Sequence, residues 1–210
     1  MKFGKRLAEQ LHQPWCEHYL CYEELKEILK RTSPEPHPSS SAIAAEGEFL
    51  SSLLTSLVKA DAFFAEIEGS FVARLEALAA ALANPEDWLT KAPHVDPQDV
   101  DLPQLVAAFE DGVHVPSAQK EALTRFVALC AEIDVLRKFS VLNSLAVVKI
   151  TKKHDKLSPV KLSGTITDFL KLRSFYTSRR LAATFTHSQC IASEIITAAT
   201  NVKPETVDYT

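Results

Sequence analysis

Residues 42–83 read AIAAEGEFLSSLLTSLVKADAFFAEIEGSFVARLEALAAALA, with no proline and only two glycines, Gly47 and Gly69. Apolar side chains fall at Phe49, Leu53, Leu57, Ala60, Phe64, Ile67, Phe71, Leu75, Leu78 and Leu82. Steps of three or four keep them on one face of a helix, so the stretch predicts a single helix with a sustained buried stripe. At about 1.5 Å per residue such a helix runs about 60 Å, well beyond the usual length in globular proteins. Asn84-Pro85 ends it, because proline lacks the backbone donor a further turn needs.

A second stripe follows. Ser117 reads as an N-cap, with Lys120 and Glu121 behind it. Leu123, Phe126, Cys130, Ile133, Leu136, Phe139, Asn143, Ala146 and Ile150 then share one face of a helix expected over 118–156. Asn143 on that apolar stripe reads as a buried hydrogen-bonding residue that fixes register. Residues 85–117 carry five prolines and seven acidic residues with little periodicity, an acidic connector with a short helix expected at 102–110. Two long helices joined in this way are expected to lie antiparallel.

Upstream, residues 3–12 and 16–31 read as a helical hairpin, broken at Gln13-Pro14 and stopped by TSPEPHPSSS. Downstream of Ser158-Pro159, shorter helices are expected at 164–173 and 178–199, then a polar tail over 201–210. No valine–isoleucine run argues for a sheet. The expected architecture is all-α: an N-terminal helical hairpin packed on two long antiparallel helices, with two shorter C-terminal helices. A chain of 210 residues suits one domain, taken as 1–200, with little left for a second.

Cys16, Cys21, Cys130 and Cys190 show no paired spacing, so neither a disulfide framework nor a zinc site is signalled. His12, Cys16 and His18 cluster, yet no second ligand pair follows at a zinc-site distance. The start MKFGKRLAEQ is basic and then polar, without the apolar core of a secretory signal. No stretch reaches the roughly 18 apolar residues of a membrane span. A reducing setting is expected, cytoplasm, nucleus or the cytosolic face of a membrane.

The chemistry concentrates in KITKKHDK, residues 149–156. On a helix Lys149, Lys152, Lys153 and Lys156 occupy positions i, i+3, i+4 and i+7, hence one face. Like charges so spaced repel, each i,i+4 pair costing a few tenths of a kcal/mol, roughly. Local stability does not account for them, whereas a multivalent anion would; a solvated basic face is the alternative. Tyr22, Lys26 and Lys30 repeat the spacing of four on the hairpin, and Lys2 and Lys5 add charge at the N-terminus. The chain carries 23 basic and 27 acidic residues, net −4; without these eight lysines the basic count falls to 15 and the net charge to −12. Positive charge is therefore gathered where a hairpin and one helix end can meet. All eight are lysine, a flexible point charge that suits many phosphate orientations.

At these residues the sequence resembles the SPX domain family. MKFGKRL is similar to the family's opening, YLCYEELK (19–26) to its Y-x-x-Y-x-x-L-K segment, and FLSSLLTSLVKADAFFAEIEGSF (49–71) to its F-x-x-x-L…K-x-x-x-F-F stretch. RKFSVLNSLAVVKITKKHDK (137–156) is similar to its most characteristic signature. The resemblance runs from residue 1 to about 156; residues 84–117 and 157–210 do not match strongly. It implies a receptor for inositol polyphosphates, such as inositol hexakisphosphate, and inositol pyrophosphates in phosphate homeostasis. It further implies that Tyr22, Lys26 and Lys153 form the phosphate-binding cluster, with Lys149, Lys152, Lys156, Lys2 and Lys30 around it.

Such modules often precede an effector, which makes a polymerase, transporter, ubiquitin ligase or transcription factor the expected partner class. No effector domain is recognisable here, so a stand-alone regulator and a fragment both fit. Tyr22 can donate a phenolic hydrogen bond to phosphate or serve simply in the core. His154, between lysines, is expected at the surface, and Asp155 to cap or to pair with a lysine. Trp15 and Trp88 read as packing anchors. No Gly-rich phosphate loop or nucleophile–base pair occurs, so no enzyme activity is expected. Aromatics do not interleave with the lysines, which argues against nucleic acid. A helical adaptor whose lysines meet acidic protein or lipid is the rival reading.

Overall fold

The computed structural model describes residues 3–32, 39–89, 101–110 and 112–201. Nine α-helices lie among them: α1 (Phe3–Gln10), α2 (Tyr22–Leu29), α3 (Ser40–Ala81), α4 (Pro85–Trp88), α5 (Leu102–Ala108), α6 (Ser117–Leu157), α7 (Ser163–Leu170), α8 (Ser174–Thr177) and α9 (Arg179–Asn201). A short 3-10 helix spans Gln13–His18. The fold class is all-α, with the two long helices and the hairpin that the stripes imply.

The hairpin departs from expectation in one respect. Residues 16–31 do not form one helix: Pro14 opens the 3-10 turn, Tyr19 is extended, and α2 begins only at Tyr22. Likewise α6 takes Ser117 as its first residue, and the Pro116 carbonyl accepts from the Lys120 amide at 3.1 Å. The expected helix at 102–110 stops at Ala108, and its start is capped by Asp101, whose carboxylate accepts from the Gln104 amide at 2.8 Å. After α3, Asn84 takes a left-handed backbone (φ 50°), which asparagine tolerates better than most, and Pro85 starts α4.

The chain divides into two compact units, and the long helices contribute to both. The first comprises Met1–Glu68 and Val135–Arg179. Phe49, Leu53, Leu57 and Phe64 of α3 are fully buried there, as are Leu136, Phe139 and Ile150 of α6 and Leu25 of α2. The hairpin docks through rings: Trp15 stands edge-on to Phe63 and Phe139 (centroids 5.3 and 6.1 Å), and Tyr19 lies 4.6 Å from Phe139. Each such large apolar side chain stabilises by about 1.5–3 kcal/mol when removed from water. On another side of α6, the Ser140 hydroxyl donates to the Phe175 carbonyl, and the Phe175 amide donates to Asp61 at 3.2 Å.

The second unit comprises Gly69–Asp134 and Arg180–Thr210. Phe71, Leu75, Leu78 and Leu82 end the α3 stripe, and Leu123, Phe126, Leu129 and Ile133 begin that of α6. Leu105, Phe109 and Ile195 are buried with them. Trp88 is an anchor, its indole N–H donating to the Ala83 carbonyl at 3.2 Å. Arg74 of α3 and Glu132 of α6 form a two-pronged ion pair at 2.6 and 2.9 Å.

Candidate functional site

The lysine row of α6 sits in the first unit, on a turn whose other side is packed. Ile150, Thr151 and His154 are buried, while Lys149, Lys152 and Lys156 are exposed and Lys153 half-buried. The helical spacing thus delivers four ammonium groups to one open face. Among the described residues, Lys149, Lys152 and Lys156 make no side-chain hydrogen bond or ion pair.

Lys153 lies within electrostatic reach of the hairpin, since its charge helps to lower the Glu27 carboxyl of α2. On α2, Tyr22 and Lys26 are half-buried and Lys30 is exposed. Tyr22 packs edge-on to Phe3 at 5.0 Å, which sets the start of α1 against α2. Burial pushes the Tyr22 phenol up, Glu23 adds to the rise and Lys26 opposes it, so the hydroxyl keeps its proton and can donate. The two lysines of α2 are paired within the helix: Lys26 with Glu23, and Lys30 with Glu27 at 2.5 Å. The hydrogen bond to Glu23 holds the Lys26 ammonium above its ordinary value. The bond from Lys30, helped by the charges of Lys30, Lys26 and Lys153, lowers Glu27. Lys2 lies outside the described residues; Lys5 is exposed on α1.

His154 is not a surface residue. Its side chain is 0% exposed, stacked on Phe49 at 4.9 Å and bridging Glu46 of α3 (Nε2 to Oε1, 2.5 Å) and Asp155 (Nδ1 to Oδ1, 3.2 Å). The Ser158 hydroxyl also donates to Glu46, at 3.2 Å. His154 is four residues beyond Ile150, so the buried stripe continues to it. Neighbouring lysines in sequence do not make a helical residue a surface residue. Asp155 caps: it accepts from the amides of Leu162 (2.8 Å) and Ser163 (3.2 Å) and from the Ser163 hydroxyl, so it ties the end of α6 to the start of α7. Burial alone would raise its carboxyl, but these bonds outweigh it and bring the pKa down to about 2.

Asn143 does fix register. Its amide donates to the Phe139 carbonyl and its oxygen accepts from the Leu20 amide, both at 2.9 Å. Leu20 lies two residues before Tyr22, so this bond sets α2 against α6.

A helical hairpin placing a phenol and lysines beside the basic end of a long helix defines an all-α module with a cationic face. The chain carries an SPX domain. The SPX domain family model matches residues 86–168, a span that holds the 137–156 signature and also the connector, which the motifs alone left unmatched. SPX domain-containing protein 6 of Oryza sativa subsp. japonica is 26% identical over 98% of this chain and 75% of its own length. Vacuolar transporter chaperone complex subunit 2 of Schizosaccharomyces pombe is 30% identical over 76% of this chain, which is 18% of that protein. The SPX domain of Chaetomium thermophilum glycerophosphodiester phosphodiesterase 1, solved with inositol hexakisphosphate, superposes with a TM-score of 0.67 at 22% identity. That match covers 93% of this chain and 99% of the other, and shows a shared fold.

Proposed function

We propose that this protein is a sensor that binds inositol polyphosphates and inositol pyrophosphates on its lysine face and thereby regulates phosphate homeostasis. In this reading residues 1–200 work as one SPX domain. Tyr22, Lys26 and Lys153 hold the phosphates, and Lys149, Lys152, Lys156, Lys30 and Lys2 surround them. The carrying observation is that half-buried Lys153 of α6 lies within electrostatic reach of Glu27 on the helix that bears Tyr22 and Lys26. The solved relative that shares the fold was captured with inositol hexakisphosphate, which supports the same ligand here.

A phosphomonoester carries about −1.5 to −2 charge near neutral pH, so six bring several charges to a face that buries little apolar area. Affinity should then fall steeply with salt, because exposed charges are screened beyond about 8–10 Å at physiological ionic strength. The work of such a site is binding rather than bond-making. Its output is ligand-dependent affinity for a protein partner or an effector domain, acting in the cytoplasm, in the nucleus or at the cytosolic face of a membrane.

Calorimetric titration with inositol hexakisphosphate at two salt concentrations tests the reading. Lys153→Ala and Lys26→Ala should each weaken binding by about tenfold or more, the scale of a lost charge-assisted contact, with helical circular dichroism intact. Unchanged titrations for both variants would sink the site. The adaptor reading draws on Val141 and Leu145, exposed on α6 just ahead of Lys149. It gains if soluble inositol hexakisphosphate fails to displace an acidic partner protein.

A further inference from the structure

The two lysine sets are not in the same state. Lys149, Lys152 and Lys156 of the α6 row face outward without an ion pair among the described residues, whereas Lys26 and Lys30 already hold carboxylates three positions before them. Glu23 does more than pair with Lys26. Its carboxylate lies against Gly4, in the first turn of α1, on the side where a Cβ would stand. One acidic side chain therefore fills the space between the start of α1 and Lys26, two features that attract an anion. One turn further along α2, Glu27 holds Lys30 and also feels the charge of Lys153.

Exposed pairs at this spacing add little to stability. Glu23 is 56% exposed and Glu27 58%, so the fold does not depend on them. Any phosphate approaching Lys26 must displace Glu23 or sit beside it and be repelled. From this geometry we infer that Glu23 and Glu27 are affinity-setting residues: built-in carboxylate competitors that hold the α2 lysines in the ligand-free protein and raise the ligand concentration needed to occupy the site. The inference rests on the inositol-phosphate reading above and names its internal antagonist. Glu24, exposed on the same turn, has no ion pair among the described residues and supplies the control.

The full chain is titrated with inositol hexakisphosphate as wild type, Glu23→Gln, Glu27→Gln and Glu24→Gln, with thermal melts to confirm folding. Glu23→Gln and Glu27→Gln should each tighten binding at least about threefold, and Glu24→Gln by less than about twofold, since only the first two release a paired lysine. In a Lys26→Ala background the gain from Glu23→Gln should shrink to that of Glu24→Gln. The inference is overturned if wild type binds while the first two variants match it, or if Glu24→Gln tightens as much as they do. A wild type that does not bind at all overturns the function reading instead.

Discussion

The two units solve the same packing problem differently. The second relies mainly on apolar contacts; its buried Thr184 and Ser188 bond to carbonyls of their own helix, and the Arg74–Glu132 pair lies at the partly exposed surface. The first buries Asn143, His154, Glu68, Thr151 and Ser158 as well, and all of these but Thr151 have a partner on another element. Apolar contacts are non-directional and tolerate small slips, while a buried hydrogen bond is lost when its partner moves. Buried polar groups are concentrated in the unit where lysines from separate helices must hold a fixed spacing.

Three substitutions test this contrast. Phe126→Ala, in the second unit, should cost about 3–5 kcal/mol in chemical denaturation, the range for a fully buried phenylalanine, and should leave ligand affinity per folded molecule unchanged. Asn143→Ala, in the first, should cost less, about 1–3 kcal/mol for orphaning the Leu20 amide, yet should also weaken inositol hexakisphosphate binding in calorimetry. If Phe126→Ala lowers affinity as much as Asn143→Ala does, the contrast fails.

The smallest effect concerns acid. The Asp155 carboxyl is depressed from 3.8 to about 2 in the folded protein, so the unfolded chain binds its proton first as pH falls. Its stabilisation is complete above about pH 5 and is lost as pH drops toward 2. Asp155→Asn should be less stable at neutral pH and show a flatter decline across that window, read as urea midpoint against pH.

Much of the fold could be read before the structure. The α3 and α6 stripes fixed two long helices, because a buried face 40 residues long leaves an unmistakable period. Of its stripe residues only Ile67 and Cys130 are less than buried. The lysine row was legible for the same reason. His154 was misplaced although its signal was present: 139, 143, 146, 150 and 154 continue one face, and charge on both sides masked it. The hairpin's break was harder, since a 3-10 turn and an extended Tyr19 have no period to detect. Glu23 and Glu27 were legible in principle as acids three residues before lysines on a helix. Their importance came only from where α1 lies, which depends on contacts far apart in sequence.

The turn that displays Lys152, Lys153 and Lys156 is also the turn that sends His154 to Glu46 and Asp155 to the start of α7. Over these five positions exposure falls from Lys152 to the buried His154 and rises again to Lys156. Between the lysines stand two ties, one to the first third of α3 and one to the loop that launches α7. The charged face and the two tertiary ties thus share one turn, so a substitution that disturbs His154 or Asp155 also bears on where the lysines stand.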